Sequence, residues 1–596
     1  MTIVQQGAIN PTAQIVPDII VQIIPPTVAL LNGVPTNILG LVGTATWGPV
    51  NSPSIVSSMA DYSRQFGQLQ ARKYDLGTAV AAAVLQGANN IRAVRVTDGT
   101  DVAATIGLFD TAGTPVLGAT LNALYTGSLG NLLIALVAAG STPNTSKLTL
   151  ALPGQTPEVF DNLGGVTATA TVQTTANVVT GTTLTNNGGS GYNPAAPAPI
   201  VTVGGPGVGA QIVALVNPNG TLSLTVAAGG TGYTTPPTIT IPAPANNVWQ
   251  NLVSAVNNGI SGLRGPSQFV TAAIGTSTGV PAVATYTLAG GTDGVTTITG
   301  ATLLGVDTVP RKGMYALRGT QTSIAALADD DDSTTYSAQV AYGLSEGTYM
   351  VMTGPVGQTI AAAITAKNAA GIDTYAAKLM LGDWCYFNDT VNNQKRLISP
   401  QGYVAGILAN LSPEQSSLNK QLQGILGTQK SSLNQTYSSA DLQQLVGAGI
   451  DVIANPVPGG NYFGVRVGHN TSSNAVINGD NYTRMTNYIA STLNGGMGKY
   501  VGRLQSPDER SQARTTLQSF LQSLQDQNMI GDVNNPGKPA YSVILDATNN
   551  PNNRVALGFQ QADVKVVYLS IVEKFLINLE PGQSVQITRG STALAA

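Results

Sequence analysis

A chain of 596 residues exceeds what one hydrophobic core organises, so about two to four domains are expected. Only 10% of the residues are charged and the formal net charge is −3, which excludes a basic footprint for a nucleic-acid backbone. One cysteine, Cys385, excludes an intrachain disulfide framework and a cysteine-based zinc site; it reads as a small buried apolar residue. No apolar run approaches the ~18 residues of a membrane helix, and no Lys or Arg precedes Arg64, so neither a membrane span nor a signal peptide is expected. So little charge on so long a chain implies that neighbours cover much of its surface.

Residues 1–26 lack helical periodicity and carry Pro11, Pro17, Pro25 and Pro26. Within them 19–24 can form one extended strand without a local partner, an edge that needs covering. Residues 38–42 read as a buried strand, followed by a turn at Gly48-Pro49, a short strand at 54–56 and a helix from about Met59 to Gly67. A helix at 74–86, capped by Gly87, and an alternating strand at 91–96 come next.

After Val96 the chain becomes a series of short strands punctuated by Gly and Thr, one of them following Thr126-Gly-Ser-Leu-Gly-Asn131. From Asn162 to Leu263 there is no Asp, Glu, Lys or Arg. This stretch holds a repeat: Gly188-Gly-Ser-Gly-Tyr192 and Gly229-Gly-Thr-Gly-Tyr233 each precede a Pro-led strand, at 199–203 and 237–241. The alternation predicts a folded β module, since disordered chains are usually charged and poor in Val and Ile. Its flanks, Phe160-Asp-Asn-Leu163 and a helix at 249–258, read as one interrupted scaffold.

The scaffold resumes with Leu288-Ala-Gly-Gly-Thr-Asp-Gly294, Leu304-Gly305 and a strand at 313–317. From about Gly347, strands at 348–352 and 378–384 alternate with helices at 359–370 and after Ser399-Pro400, which predicts a doubly wound α/β layer. Two amphipathic helices follow. One carries Tyr482, Met485, Ile489 and Leu493; the other, after Ser506-Pro507, carries Leu517, Phe520, Leu521 and Leu524. Strands are expected at 541–545, 564–568 and around 575–579, with a turn at Asn549-Asn-Pro551, and a last isolated strand at 584–588.

No motif of chemistry survives inspection. The single histidine, His469, lies in a polar Gly-His-Asn-Thr-Ser loop, and nothing in the sequence pairs it with a nucleophile and an orienting acid. The run Asp329–Asp332 lacks the spaced ligands of a calcium loop and reads as a solvated loop or helix N-terminus. Gly495-Gly-Met-Gly-Lys499 follows a helix and has Tyr500 where a phosphate loop needs a hydroxyl. Gly205-Pro-Gly-Val-Gly209 is turn chemistry.

Three phrases resemble a known family. Gly43-Thr-Ala45 with Gly48-Pro-Val-Asn51 and Pro53, then Asp61-Tyr62 and Phe66-Gly67, is similar to the N-terminal signature of contractile-tail sheath proteins of bacteriophages. Gly-x-x-Gly-Asn131 feeding a strand and Gly290-Gly-Thr-Asp-Gly294 before Gly-Met-Tyr-Ala-Leu317 resemble its middle. The order of helices and strands after 480 resembles its C-terminal domain. Pro17-Asp18-Ile19-Ile20 departs from the Pro-Gly-Val-Tyr phrase usual there.

The resemblance implies an α/β multidomain protein. It comprises an α/β core with a subtilisin-like layer, a C-terminal sheath domain, and a β-rich protruding domain with an inserted β repeat module. The expected parts are an N-terminal arm at 1–26, the first part of the core at 27–98, the β-rich domain at 99–163, the charge-free module at 164–247, the return of the β-rich domain at 248–300, the subtilisin-like domain at 301–470, a tube-proximal domain at 471–580 and a C-terminal arm at 581–596.

The implied role is structural, without catalysis or cofactor: a sheath subunit that contracts around a tail tube. The implied partners are further copies in helically stacked hexameric rings, the tail tube protein, and baseplate and tail terminator proteins, with no nucleic acid and no membrane insertion. Its place would be the virion, after assembly in the bacterial host cytoplasm. The sheath of a contractile bacteriocin or injection device shares these features; a subtilisin-like enzyme and a secreted adhesin are the readings from other classes. Strand exchange through the chain ends would use Ile20, Ile23, Val585 and Ile587. Asp508, Glu509, Arg510 and Arg514 would meet the tube, or else form a solvated helix face.

Overall fold

The computed structural model describes residues 3–6, 20–23, 31–579 and 581. Two compact units emerge, one of residues 35–412 with 417–478, the other of the described residues before 35, residues 413–416 and the described residues from 479. The protein is thus a mixed α/β molecule of several bodies.

The larger unit is built on a six-stranded sheet in the order Ala377–Met380, Tyr349–Thr353, Ile324–Leu327, Leu39–Gly43, Ile91–Arg95, Ser54–Val56. All neighbours are parallel except the last pair. Three of its four inner strands, Tyr349–Thr353, Ile324–Leu327 and Leu39–Gly43, are buried along their whole length, as a parallel sheet covered on both faces requires. Successive residues divide between the faces. Leu39, Leu41, Ile324, Ala326, Tyr349 and Val351 join one core, and Val42, Ala325, Leu327, Met350 and Met352 the other.

Helices Leu76–Leu85 and Gln401–Asn410 cover the first face. They approach so closely that a Cβ on Gly406 would stand 2.5 Å from the Ala83 Cα, which accounts for the run of small residues in both. Helices Tyr336–Glu346 and Ile360–Ala369 lie on the second.

Three expectations change here. The strand Ile324–Leu327, central to the sheet, was not foreseen, because Ile-Ala-Ala-Leu carries no alternation. Residues Gly313–Leu317 form a 3-10 turn rather than a strand. The run Asp329–Asp332 is half interior: Asp329 and Asp330 are buried, while Asp332 caps the 3-10 turn Ser333–Thr335 by accepting from the Thr334 amide at 2.9 Å.

A second body of this unit pairs two antiparallel sheets. One has the order Glu158–Leu163, Ser146–Ala151, Ile134–Ala139, Ala284–Thr287, and the other Val270–Ile274, Leu117–Ala123, Thr105–Phe109. Helix Val248–Asn258 seals it with Trp249, whose indole donates to the Gly279 carbonyl at 2.9 Å. The ring occupies the space a side chain on Gly118 would need, 2.0 Å from an added Cβ.

Between Leu163 and Val248 stand two hairpins, Ala170–Thr175 with Val178–Leu184 and Val208–Val216 with Leu222–Thr231. The strands after the two Gly-Gly-x-Gly-Tyr turns pair with each other, Thr202–Gly204 against Thr238–Thr240. Tyr192 and Tyr233 are buried in adjacent clusters, each hydroxyl accepting from an amide at the start of its own hairpin, Ala168 and Ala210.

In the smaller unit, helices Asp480–Met497 and Pro507–Asp526 pack Met485, Ile489, Phe520, Leu521 and Leu524 against the hairpin Tyr541–Ile544/Asp563–Val566. Ser506 caps the second helix and Pro507 opens it. Residues 575–579, expected as a strand, are irregular. At the other chain end Ile20–Ile23 pairs in parallel with Ile3–Gln6, a local partner not anticipated.

Candidate junction and assembly surfaces

The three phrases singled out in the sequence meet at one buried place where the parallel sheet joins the β-rich body. Arg95, at the end of strand Ile91–Arg95, is fully buried. Its guanidinium donates to the carbonyls of Gly48 at 2.9 Å, Thr126 at 2.6 Å and Asp293 at 3.4 Å. The Asp293 carboxylate holds Arg72 at 2.6 Å and accepts from the Ser128 amide at 2.7 Å. The Asn131 side chain donates to the Gly291 carbonyl at 2.9 Å and accepts from the Gly291 amide at 2.7 Å. Gly127 adopts φ +129°, and a Cβ there would strike the Thr46 carbonyl at 2.0 Å, so only glycine fits.

Burial sets the electrostatics. Desolvation lowers the Arg95 pKa against the pull of Asp293 and Asp101. Asp75, which caps helix Leu76–Leu85 through the Thr78 amide, is pushed up to about 6 by complete burial despite bonds from Thr78 and Gln70.

The strand order reverses between Leu39–Gly43 and Ile324–Leu327, the position at which doubly wound sheets commonly bind ligands. Here side chains fill it. The cavity lined by Thr78, Ala326, Asp329, Ser399 and Gln401 measures about 10 Å³, room for about one water and no substrate. His469 is buried with its Nδ1 3.3 Å from the Asn478 amide nitrogen, and its carbonyl accepts from Lys378, which also pairs with Asp451 at 2.6 Å in a fully buried ion pair. Among the described residues no three His, Cys, Asp or Glu side chains are grouped to hold a metal. None of their helices is long and apolar enough to cross a membrane.

The expected assembly residues fall in different settings. Ile20 and Ile23 lie on the strand paired with Ile3–Gln6; Val585, Ile587 and the expected strand at 584–588 lie outside the described residues. Asp508 is exposed, and Glu509 is engaged by Arg503 at 3.0 Å. Arg510 and Arg514, one turn apart, line a surface depression with Leu545 and Asp546. Sequence reasoning missed the exposure of the irregular chain before residue 580: Val572, Phe575, Leu576, Ile577 and Leu579 are each at least 72% exposed. An expected strand hid it, although five apolar residues outside any amphipathic pattern carried the signal.

No protein-family model and no curated protein matches the chain. Solved structures do. A sheath tail protein from Listeria innocua superposes with a TM-score of 0.52 at 13% identity, over 90% of this chain and 96% of that one. One from Desulfitobacterium hafniense gives 0.49 at 13% identity, over 88% and 93%. The sheath of the anti-feeding prophage in its contracted state gives 0.37 at 13% identity, over 44% and 70%. The Listeria innocua likeness reaches the level that establishes a shared fold, and the other two fall below it. The chain has the fold of a sheath tail protein.

Proposed function

We propose that this chain is the structural subunit of a contractile sheath, which surrounds a rigid tube and shortens to drive it through a host envelope. The observation that carries the reading is the fold shared with a sheath tail protein along nine-tenths of the chain. In this reading hexameric rings stack helically and the energy of contraction is stored in a metastable extended assembly. The subunit meets the tube, baseplate and terminator proteins, and it resides in a virion assembled in the bacterial cytoplasm. A contractile bacteriocin or injection device would use the same subunit.

Within it, the sheet of the larger unit is the subtilisin-like layer and the charge-free hairpins are a module inserted in the β-rich domain. Arg510 and Arg514, with Asp508 and Glu509 beside them, face the tube. The chain ends weld neighbours by strand exchange through Ile20, Ile23, Val585 and Ile587. The exposed apolar residues from Val572 to Leu579 support such a partner, because a chain in water does not hold five large apolar side chains uncovered in one short segment without one. Removing residues 1–26, or everything after Pro581, should leave a folded monomer that cannot polymerise. Truncated proteins that still build contractile sheaths would refute the exchange.

A further inference from the structure

The junction holds a group of buried polar atoms that make no hydrogen bond to the protein. The Asp75 carboxylate is 1% exposed and divides its bonds unequally. Its Oδ2 accepts from the Gln70 amide at 3.1 Å, the Thr78 amide at 2.8 Å and the Thr78 hydroxyl at 2.7 Å, whereas its Oδ1 accepts from none. Arg72 Nε lies 4.0 Å from that bare oxygen and is itself buried and unbonded, although Arg72 Nη1 is held by Asp293.

Tyr62, on helix Met59–Phe66, is fully buried and its hydroxyl has no protein partner. Its ring lies against the first turn of helix Leu76–Leu85, where a Cβ on Gly77 would stand 2.9 Å from the Tyr62 Cε1. Burial above all, then the Asp75 charge, pushes the Tyr62 pKa up, while Arg72 and Arg95 pull it down, so these charges all reach the phenol.

A buried polar atom loses its hydration on folding and regains nothing unless it is bonded. At 4.0 Å the Arg72–Asp75 pair is beyond the reach of a direct N–H···O bond. That separation suits one small molecule standing about 2.8 Å from each. Charge decides which molecule. The guanidiniums of Arg72 and Arg95 are already matched by Asp75, Asp293 and Asp101, so no positive excess calls for an anion. A cation would face the Arg72 Nε–H. What fits is a neutral molecule that both accepts and donates. A buried water makes about three bonds, and three atoms are offered.

We propose that Asp75 Oδ1, Arg72 Nε and Tyr62 Oη bind one internal water molecule, which accepts from Arg72 and Tyr62 and donates to Asp75. It joins helix Met59–Phe66 and the cap of helix Leu76–Leu85 to the arginine whose other end holds Asp293. The water thus belongs to the tie between the parallel sheet and the β-rich body, and it does not depend on the sheath reading.

Tyr62→Phe in the full chain keeps the ring and removes the hydroxyl, and the sign of its effect is decisive. If the hydroxyl is bonded to the water, its loss destabilises: the folding equilibrium constant, read from denaturant unfolding, should fall about fivefold. A hydroxyl buried without a partner is better removed, so an unchanged or larger constant overturns the proposal.

A density map of the full chain, from crystals or from whatever particle it forms, is the second measurement. It should show one rounded peak within about 3.2 Å of all three atoms. A direct bond from Arg72 or Tyr62 to Asp75, with no such peak, overturns the proposal whatever the unfolding shows. Either result leaves the sheath reading to stand or fall on whether tubes form.

Discussion

Arg72 and Asp293 lie 221 residues apart in the chain and 2.6 Å apart in space. Asp293 belongs to the Gly-Gly-Thr-Asp-Gly turn, and its backbone carbonyl also receives the buried Arg95. One residue thus ties the end of the parallel sheet to the β-rich body. Asp293→Asn leaves the carbonyl in place but removes the nearer of the two carboxylates from a largely buried guanidinium, leaving Asp75 at 4.0 Å, and should cost about 2–4 kcal/mol. The double substitution Arg72→Met, Asp293→Leu should cost less than Asp293→Asn alone. Denaturant unfolding of the soluble chain measures both, and a loss below ~0.5 kcal/mol for Asp293→Asn would contradict a role for this pair in holding the junction.

The buried carboxyls predict an unusual pH response. Asp75 and Asp330 are raised from 3.8 to about 6, in both by burial above all. A raised folded pKa favours the protonated form, so the stability it contributes is fully present below the unfolded value and is lost as pH rises through about 6. Each shift of about two units corresponds to ~3 kcal/mol at most. The melting temperature should therefore fall between about pH 4 and pH 6 and level off above, and Asp75→Asn, which keeps a capping oxygen, should flatten the slope. The carboxylates with lowered pKa, such as Asp389 and Asp373, titrate below this window and do not obscure it.

Gly118→Ala places a methyl inside the Trp249 ring position. The β-rich core has little room to yield, so about 1–3 kcal/mol should be lost, with a shift in tryptophan fluorescence as the indole leaves Gly279. Unchanged emission and stability would show that the ring repacks freely.

The parts legible in the sequence were those with a local signal. The strand expected at 38–42 and found at Leu39–Gly43, the helix expected at 74–86 and found at Leu76–Leu85, and the stripes on the two last helices follow from periodicity, although the cap by Asp75 was not read. The internal repeat was legible as a pattern, but the pairing of its two Pro-led strands with each other is a tertiary fact. Ile324–Leu327 was missed because a strand buried on both faces has no alternation. The junction was legible only as glycines and one Asp in three phrases. Nothing local reveals that Arg72 and Arg95 converge on Asp293, since long-range ion pairs leave no spacing in the chain. Asp329 and Asp330 look solvated in sequence because a run of four acids usually is; the fold buries two of them against Ser399 and Thr335.

The exposed segment near the C-terminus separates folding from assembly. Phe575→Ser with Ile577→Ser removes two side chains that are 82% and 72% exposed, so the monomer's stability should change by no more than ~0.5 kcal/mol. Assembly should be abolished, read as loss of sedimenting polymer. A destabilised monomer would place these residues in the monomer's own core instead.

The central claim is that many copies of this chain build a tube. Negative-stain electron microscopy of the purified full-length protein, concentrated without any partner, tests it most directly. The sheath reading predicts hollow, transversely striated tubes. Uniform monomers at every concentration, with the Val572–Leu579 segment still uncovered, would contradict it.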